Sequence, residues 1–79
     1  MTNIEKYNQA FIETFTIKEE ELPTLKYQSI QLWDSIGHMS LVAALEESFD
    51  IMMETEDIID LSSYLKGQSI LTSNYEVEF

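Results

Sequence analysis

Trp33-Asp34-Ser35-Ile36 opens the run Gly37-His38-Met39-Ser40-Leu41-Val42-Ala43-Ala44-Leu45-Glu46-Glu47-Ser48-Phe49, and this stretch decides the fold. Asp34 or Ser35 can cap a helix by accepting hydrogen bonds from first-turn amides that have no partner inside it. Leu41, Leu45 and Phe49 then recur at a spacing of four and give one buried stripe. Ile36, Met39 and Ala43 fall on a neighbouring strip that Glu46 and Glu47 extend toward the helix end. The spacing predicts a helix over about 35–49. Its free amides and dipole make its start a favourable place for a phosphate, so a serine bearing a phosphate ester would sit well there.

Outward from this helix, the flanks also read as helical. Thr2-Asn3-Ile4-Glu5 has capping-box spacing, and Ile4, Tyr7, Phe11 and Phe15 form an aromatic-rich stripe, which predicts a helix over about 3–15. Between them the period is lost. Lys18 to Glu21 reads as a charged turn, and Pro23 discourages helix at Leu22. Leu25, Tyr27, Ile30 and Leu32 are spaced as anchors of a long loop, with a short helical turn expected near 27–31. Beyond Asp50, a short helix is expected over 55–60 with Thr55 as its cap, then a last helix over 62–72 opened by Ser62-Ser63. Gly67 inside that helix costs about 1 kcal/mol relative to alanine, so either close packing or room for something bound explains it. Residues 73–79 carry no helical period and read as a loosely attached, flexible tail. The expected architecture is one all-α domain over 1–79, an up-and-down four-helix bundle with a long first loop and a short third helix.

The 79-residue chain has 15 acidic residues, four lysines, no arginine and no cysteine, for a net charge of −11. No lysine or arginine falls between Lys26 and Lys66, whereas Asp34, Glu46, Glu47, Asp50, Glu54, Glu56, Asp57 and Asp60 all do. Such a field repels nucleic acid and anionic membranes and favours basic partner surfaces. The absence of cysteine rules out disulfides and thiolate metal sites. No apolar run approaches the roughly 20 residues that span a bilayer, so a cytoplasmic monomer that does not insert into membranes is expected. The acidic run 50–60 lacks the central glycine of a calcium loop and has Ile51, Met52 and Met53 where oxygen ligands belong, so no metal site is expected.

Two chemistries remain for Ser35. As a nucleophile it would need His38 and Asp34 as base and orienting acid, but all three lie on one helix turn with no glycine-rich oxyanion loop, so no enzyme activity is expected. His38 reads as solvent-facing or adjacent to the cap. The alternative is modification of the serine by another enzyme.

On this point the chain resembles the acyl carrier proteins and their aminoacyl and peptidyl carrier relatives. The resemblance rests on Asp34-Ser35-Ile36, Leu41, Leu45-Glu46-Glu47 and Phe49 in one register. Leu61-Ser62-Ser63, Gly67 and Tyr27 extend it, and it is ungapped from about Tyr27 to Leu71. It implies that a phosphopantetheinyl transferase (a holo-carrier synthase) moves 4′-phosphopantetheine from coenzyme A onto Ser35, next to Asp34. The arm's thiol then carries acyl intermediates as thioesters to enzymes with basic docking patches. The implied docking surface is Ile36, Met39, Ala43, Glu46 and Glu47, with Glu56 and Asp57. The implied acyl pocket is Tyr27, Leu41, Leu45, Met53, Ile58, Leu61 and Gly67. Trp33, Leu32, Gly37 and Ser40 depart from the pattern of fatty-acid carriers, which implies a stand-alone carrier of a specialised pathway. The other readings are an aminoacyl or peptidyl carrier, and an unmodified acidic helical module that binds a basic partner.

Overall fold

The computed structural model describes all 79 residues. It is all-helical: α1 is Asn3–Phe15, α2 is Ser35–Phe49, α3 is Thr55–Asp60 and α4 is Tyr64–Tyr75, with a 3-10 turn over Glu19–Thr24. No helix is long and apolar enough to cross a membrane.

The start of α1 follows from its sequence. The Glu5 amide donates to the Thr2 hydroxyl and the Glu5 carboxylate accepts from the Thr2 amide at 2.8 Å, closing the capping box. That backbone bond from Thr2 also holds the Glu5 carboxyl below its ordinary pKa. Tyr7, Ala10, Phe11 and Phe15 are buried from α1, and Leu41, Val42 and Leu45 meet them from α2. The two helices pack along each other in opposite directions. Phe15, ending α1, lies beside Gly37 near the start of α2, while Met1 and Lys6 share a groove with Glu47 and Ser48 near its end.

Helix α4 also runs against α1. Tyr64 at its start packs tilted against Tyr7 and edge-on against Phe11, and Asn3 reaches the Glu78 carbonyl beyond its end. The Tyr7 hydroxyl donates to the Tyr64 carbonyl at 2.6 Å, and burial pushes it well above the ordinary tyrosine range. Gly67 is where it is because of this hydroxyl: a Cβ there would lie 2.1 Å from the Tyr7 oxygen and 2.8 Å from Leu61 Cδ1. Of the two explanations for Gly67, close packing is the one realised.

The segment between α1 and α2 departs from expectation. Its one helical turn lies at Glu19–Thr24 rather than near 27–31, with Leu22 buried and the Lys18 amide capped by the Glu21 carboxylate. A 3-10 turn accommodates Pro23, which removes one donor. Lys26 instead bridges to Ser63: the Tyr27 amide donates to the Ser62 carbonyl and the Tyr64 amide to the Leu25 carbonyl. Ser29 closes a turn on Lys26 there, and Gln28 adopts a left-handed backbone. Of the expected anchors Leu25 is buried and Ile30 half-buried, while Tyr27 and Leu32 stay exposed. The deepest anchor is Trp33, fully buried and stacked on Phe15 at 5.2 Å between ring centroids.

The end of the chain also corrects the sequence reading. Helix α4 begins at Tyr64 with Ser63 as its cap and continues to Tyr75 rather than ending at 72. Residues 76–79 are attached: the Val77 amide donates to the Leu71 carbonyl, Val77 is buried, and Phe79 packs edge-on against Tyr7. The alternation of Tyr75, Val77 and Phe79 that accompanied the missing helical period places these three side chains against the bundle. Helix α3 begins after Glu54, with Thr55 as its first residue rather than its cap, and has no fully buried residue.

Gly67→Ala is expected to destabilise the protein by about 1–3 kcal/mol despite alanine's better helix propensity, because the Tyr7 hydroxyl cannot retreat. In combination with Tyr7→Phe the penalty should shrink. A double-mutant cycle by urea unfolding measures this coupling, and additive effects would show that the two groups do not compete for space.

Candidate functional site

The site is built at the start of α2. Asp34 is the cap: its Oδ1 accepts from the Gly37 amide at 2.8 Å, and its carbonyl accepts from the His38 amide. Ser35 is therefore not needed for capping. It is exposed, and its hydroxyl makes no hydrogen bond within the protein. Gly37 permits the approach of the preceding loop, since a Cβ there would lie 1.9 Å from the Leu32 carbonyl oxygen. The glycine thus seats the loop on the first turn of α2.

Ser35 stands on the rim of a groove of about 340 Å³ between α2 and α3. His38 and Met39 line it from α2, Ile58 and Ile59 from α3, Leu61 and Ser62 from the α3–α4 connection, and Tyr27 from the long loop. The lining is mostly apolar and includes no lysine.

His38 organises the floor. The Trp33 indole N–H donates to His38 Nδ1 at 3.0 Å, and His38 Nε2 lies 2.7 Å from the Ile58 carbonyl oxygen. An indole nitrogen can only donate, so Nδ1 accepts, and the proton sits on Nε2, donated to Ile58. The His38 ring lies nearly parallel to Trp33, and Tyr27 meets both edge-on. His38 is therefore half-buried and bonded on both sides, not solvent-facing. Both ring nitrogens are engaged away from Ser35, and Asp34 is engaged in the cap, so no Ser35–His38–Asp34 relay is assembled.

The residues named as an acyl pocket separate into two groups. Tyr27, Ile58 and Leu61 line the groove. Leu41, Leu45, Met53 and Gly67 are buried in the core, where Tyr7 occupies the space beside Gly67. The residues named as a docking face separate as well. Ile36, Met39, Ala43, Glu47 and Glu56 are exposed. Glu46 is half-buried and accepts from the Met53 amide at 2.9 Å, fastening the α2–α3 connection. Asp57 accepts from the Tyr75 hydroxyl at 2.6 Å and from Asn74 at 2.8 Å, while the Glu54 amide donates to the same hydroxyl. Desolvation and the Asp57 carboxylate raise the Tyr75 pKa. Glu46 and Asp57 thus fasten the backbone and α3, leaving Glu47 and Glu56 as the free carboxylates of that set.

Sequence reasoning missed Ile59, Ser62 and the role of His38. Ile59 is a large apolar residue exposed on a six-residue helix, a signal present in the sequence but unremarkable without its neighbours. The Trp33–His38 pair joins a loop residue to one five positions on, a spacing that marks no helical neighbour. No group of three or more His, Asp or Glu side chains converges on a common point as a metal site.

No protein-family model, curated protein or solved structure matches the chain.

Trp33→Phe removes the donor and puts a smaller aromatic ring in the core, leaving His38 Nδ1 unpaired in a half-buried setting and a gap where the indole was. A loss of about 2–5 kcal/mol in urea unfolding is expected, from the orphaned acceptor and the gap in the core together. The wild-type indole N–H should exchange slowly with solvent by NMR, and rapid exchange would mean that the bond to His38 is not maintained.

Proposed function

We propose that the protein is an acyl carrier, bearing 4′-phosphopantetheine on Ser35 and presenting thioester-bound groups to biosynthetic enzymes of a specialised pathway. The observation that carries this reading is the division of labour at the start of α2. Asp34 caps the helix, and the adjacent serine hydroxyl is left exposed and without a partner on the rim of an apolar groove. A hydroxyl held this way is accessible to a modifying enzyme, and a phosphate ester on it would lie beside the first-turn amides of a 15-residue helix. The register of Asp34-Ser35-Ile36 with Leu41, Leu45-Glu46-Glu47 and Phe49 supports the same reading, as does an all-helical fold in which α2 and α4 both run against α1. These features fit an acyl-carrier-like four-helix bundle with a long first loop.

Bound there, the cofactor would supply a thiol that holds its cargo as a thioester. The chain's own part is to hold Ser35 at a rigid helix start and to offer partners a recognisable face. Ile36 is 78 % exposed and Met39 52 % exposed, and with Ala43, Glu47 and Glu56 they form an apolar strip edged by carboxylates. That chemistry fits a basic partner surface with an apolar centre, such as the transferase or an acyl-transferring enzyme. An aminoacyl or peptidyl carrier is the second reading, supported by the same serine and by departures at Trp33 and Gly37 from the fatty-acid carriers.

Incubation with coenzyme A, Mg²⁺ and a promiscuous phosphopantetheinyl transferase should add one prosthetic group by intact mass, and Ser35→Ala should abolish the addition. If a control carrier is loaded and this protein is not, the carrier reading fails. An unmodified acidic module binding a basic partner would then be the better account, with Ser35→Ala retaining its binding.

Charge reversal at Glu47 and Glu56 together should slow loading by about tenfold through lost steering without changing the melting temperature. Time-resolved mass spectrometry measures this rate. An unchanged rate would remove these carboxylates from the docking face.

A further inference from the structure

We propose that the Trp33–His38–Ile58 chain of hydrogen bonds seals the bundle interior, so that any group attached to Ser35 stays in the surface groove. Resting on the carrier reading, this assigns the cargo to short or polar groups rather than long alkyl chains.

Two closures carry the inference. On the α2 side, the groove floor is the His38 ring, backed by fully buried Trp33 and, behind it, by Phe15. A chain entering between α2 and α3 there would have to break the 2.7 Å bond from His38 to the Ile58 carbonyl. It would also deprive the Trp33 donor of its acceptor in a dry setting. On the α4 side, Leu61 is 1 % exposed, and the space a glycine might have left open at position 67 is filled by the Tyr7 hydroxyl.

The groove itself is small. Its 340 Å³ has room for roughly ten water-sized groups. That is less than an arm together with a long chain, so extra methylenes would project into water. His38 acts here as a positioning residue, fixing where α3 sits over the groove. It takes no part in bond making.

The protein contains no cysteine, so Ser35→Cys gives a single attachment point that does not depend on any transferase. Alkyl methanethiosulfonates from methyl to hexadecyl would form a disulfide at that thiol and release methanesulfinate. The melting temperature and the Trp33 indole N–H resonance of each adduct are then measured. Both are expected to be flat from decyl to hexadecyl, once the groove is filled, with shifts confined to groove residues such as Tyr27, Met39 and Ile59. A melting temperature that climbs with each added methylene, accompanied by movement of the indole resonance, would show a chain entering the interior and overturn the proposal. In the His38→Ala background the longer chains should begin to stabilise the protein and move core resonances. If that variant does not fold, Trp33→Phe removes the donor while keeping the His38 ring, and core methyl resonances report whether the alkyl chain enters. Flat behaviour in the folded variant would remove the hydrogen-bond chain as the seal. Failure of enzymatic loading would count against the carrier reading alone and leave this measurement standing.

Discussion

The structure depends on the burial of Trp33 and on what its indole N–H does once buried. A fully buried tryptophan removes about 150–250 Å² from water, a gain on the order of 4–6 kcal/mol at most. That gain is realised without an orphan donor because His38, one helical turn into α2, accepts the N–H and passes a hydrogen bond on to the Ile58 carbonyl. One residue of the long loop is thereby tied through α2 to α3. The tie matters most for α3, which is six residues long and buries no side chain completely. Its position rests on this bond at Ile58, on the bonds from Asn74 and the Tyr75 hydroxyl to the adjacent Asp57, and on the Glu54 amide, which donates to the same hydroxyl.

The long loop is stabilised in the same distributed way. Ordering the ten residues 25–34 costs on the order of 10–20 kcal/mol of backbone entropy, more than Trp33 alone returns. The balance is met by burial of Leu25, the backbone bridge to Ser62 and Tyr64, and the turn closed by Ser29. Gly37 belongs to this set. Its missing side chain admits the Leu32 carbonyl against the first turn of α2 and so sets the height at which Trp33 enters the core. The same residue looks, from sequence, like a loosening of the turn beneath Ser35. In three dimensions it is a requirement of close packing.

The contrast marks what a sequence can carry. Helices α1 and α2 are legible because period and cap agree locally: Thr2 with Glu5 before α1, Asp34 or Ser35 before α2, and stripes three or four residues apart. For Ser35 the sequence leaves two roles open, cap or free hydroxyl, and the bond from the Gly37 amide to Asp34 decides between them. The Lys26–Ser63 bridge, the Tyr75–Asp57 clasp and the Trp33–His38–Ile58 chain join residues with no repeating separation, and each depends on where the helices have already placed the backbone. The same limit governs the charges. By spacing Glu46 and Glu47 are equivalent, yet one turns inward to hold the Met53 amide and the other faces water. Only the packing of the α2–α3 connection distinguishes them.

This partition bears on how a small acidic bundle can be both stable and recognisable. A partner reading α2 needs carboxylates that are free to pair, and the fold needs some of the same residue type to satisfy loop amides and fasten α3. Here the two demands fall on different members of one run. Glu46 and Asp57 are consumed by hydrogen bonds to Met53, Tyr75 and Asn74, while Glu47 and Glu56 are exposed to solvent. Neutralising the second pair changes only the long-range field, which salt screens within about 8–10 Å. Neutralising the first pair withdraws acceptors from defined donors and loosens the wall beside Ser35. The acidic residues of this protein therefore fall into two groups, and the side-chain hydrogen bonds, rather than the count of acidic residues, decide which residue belongs to which.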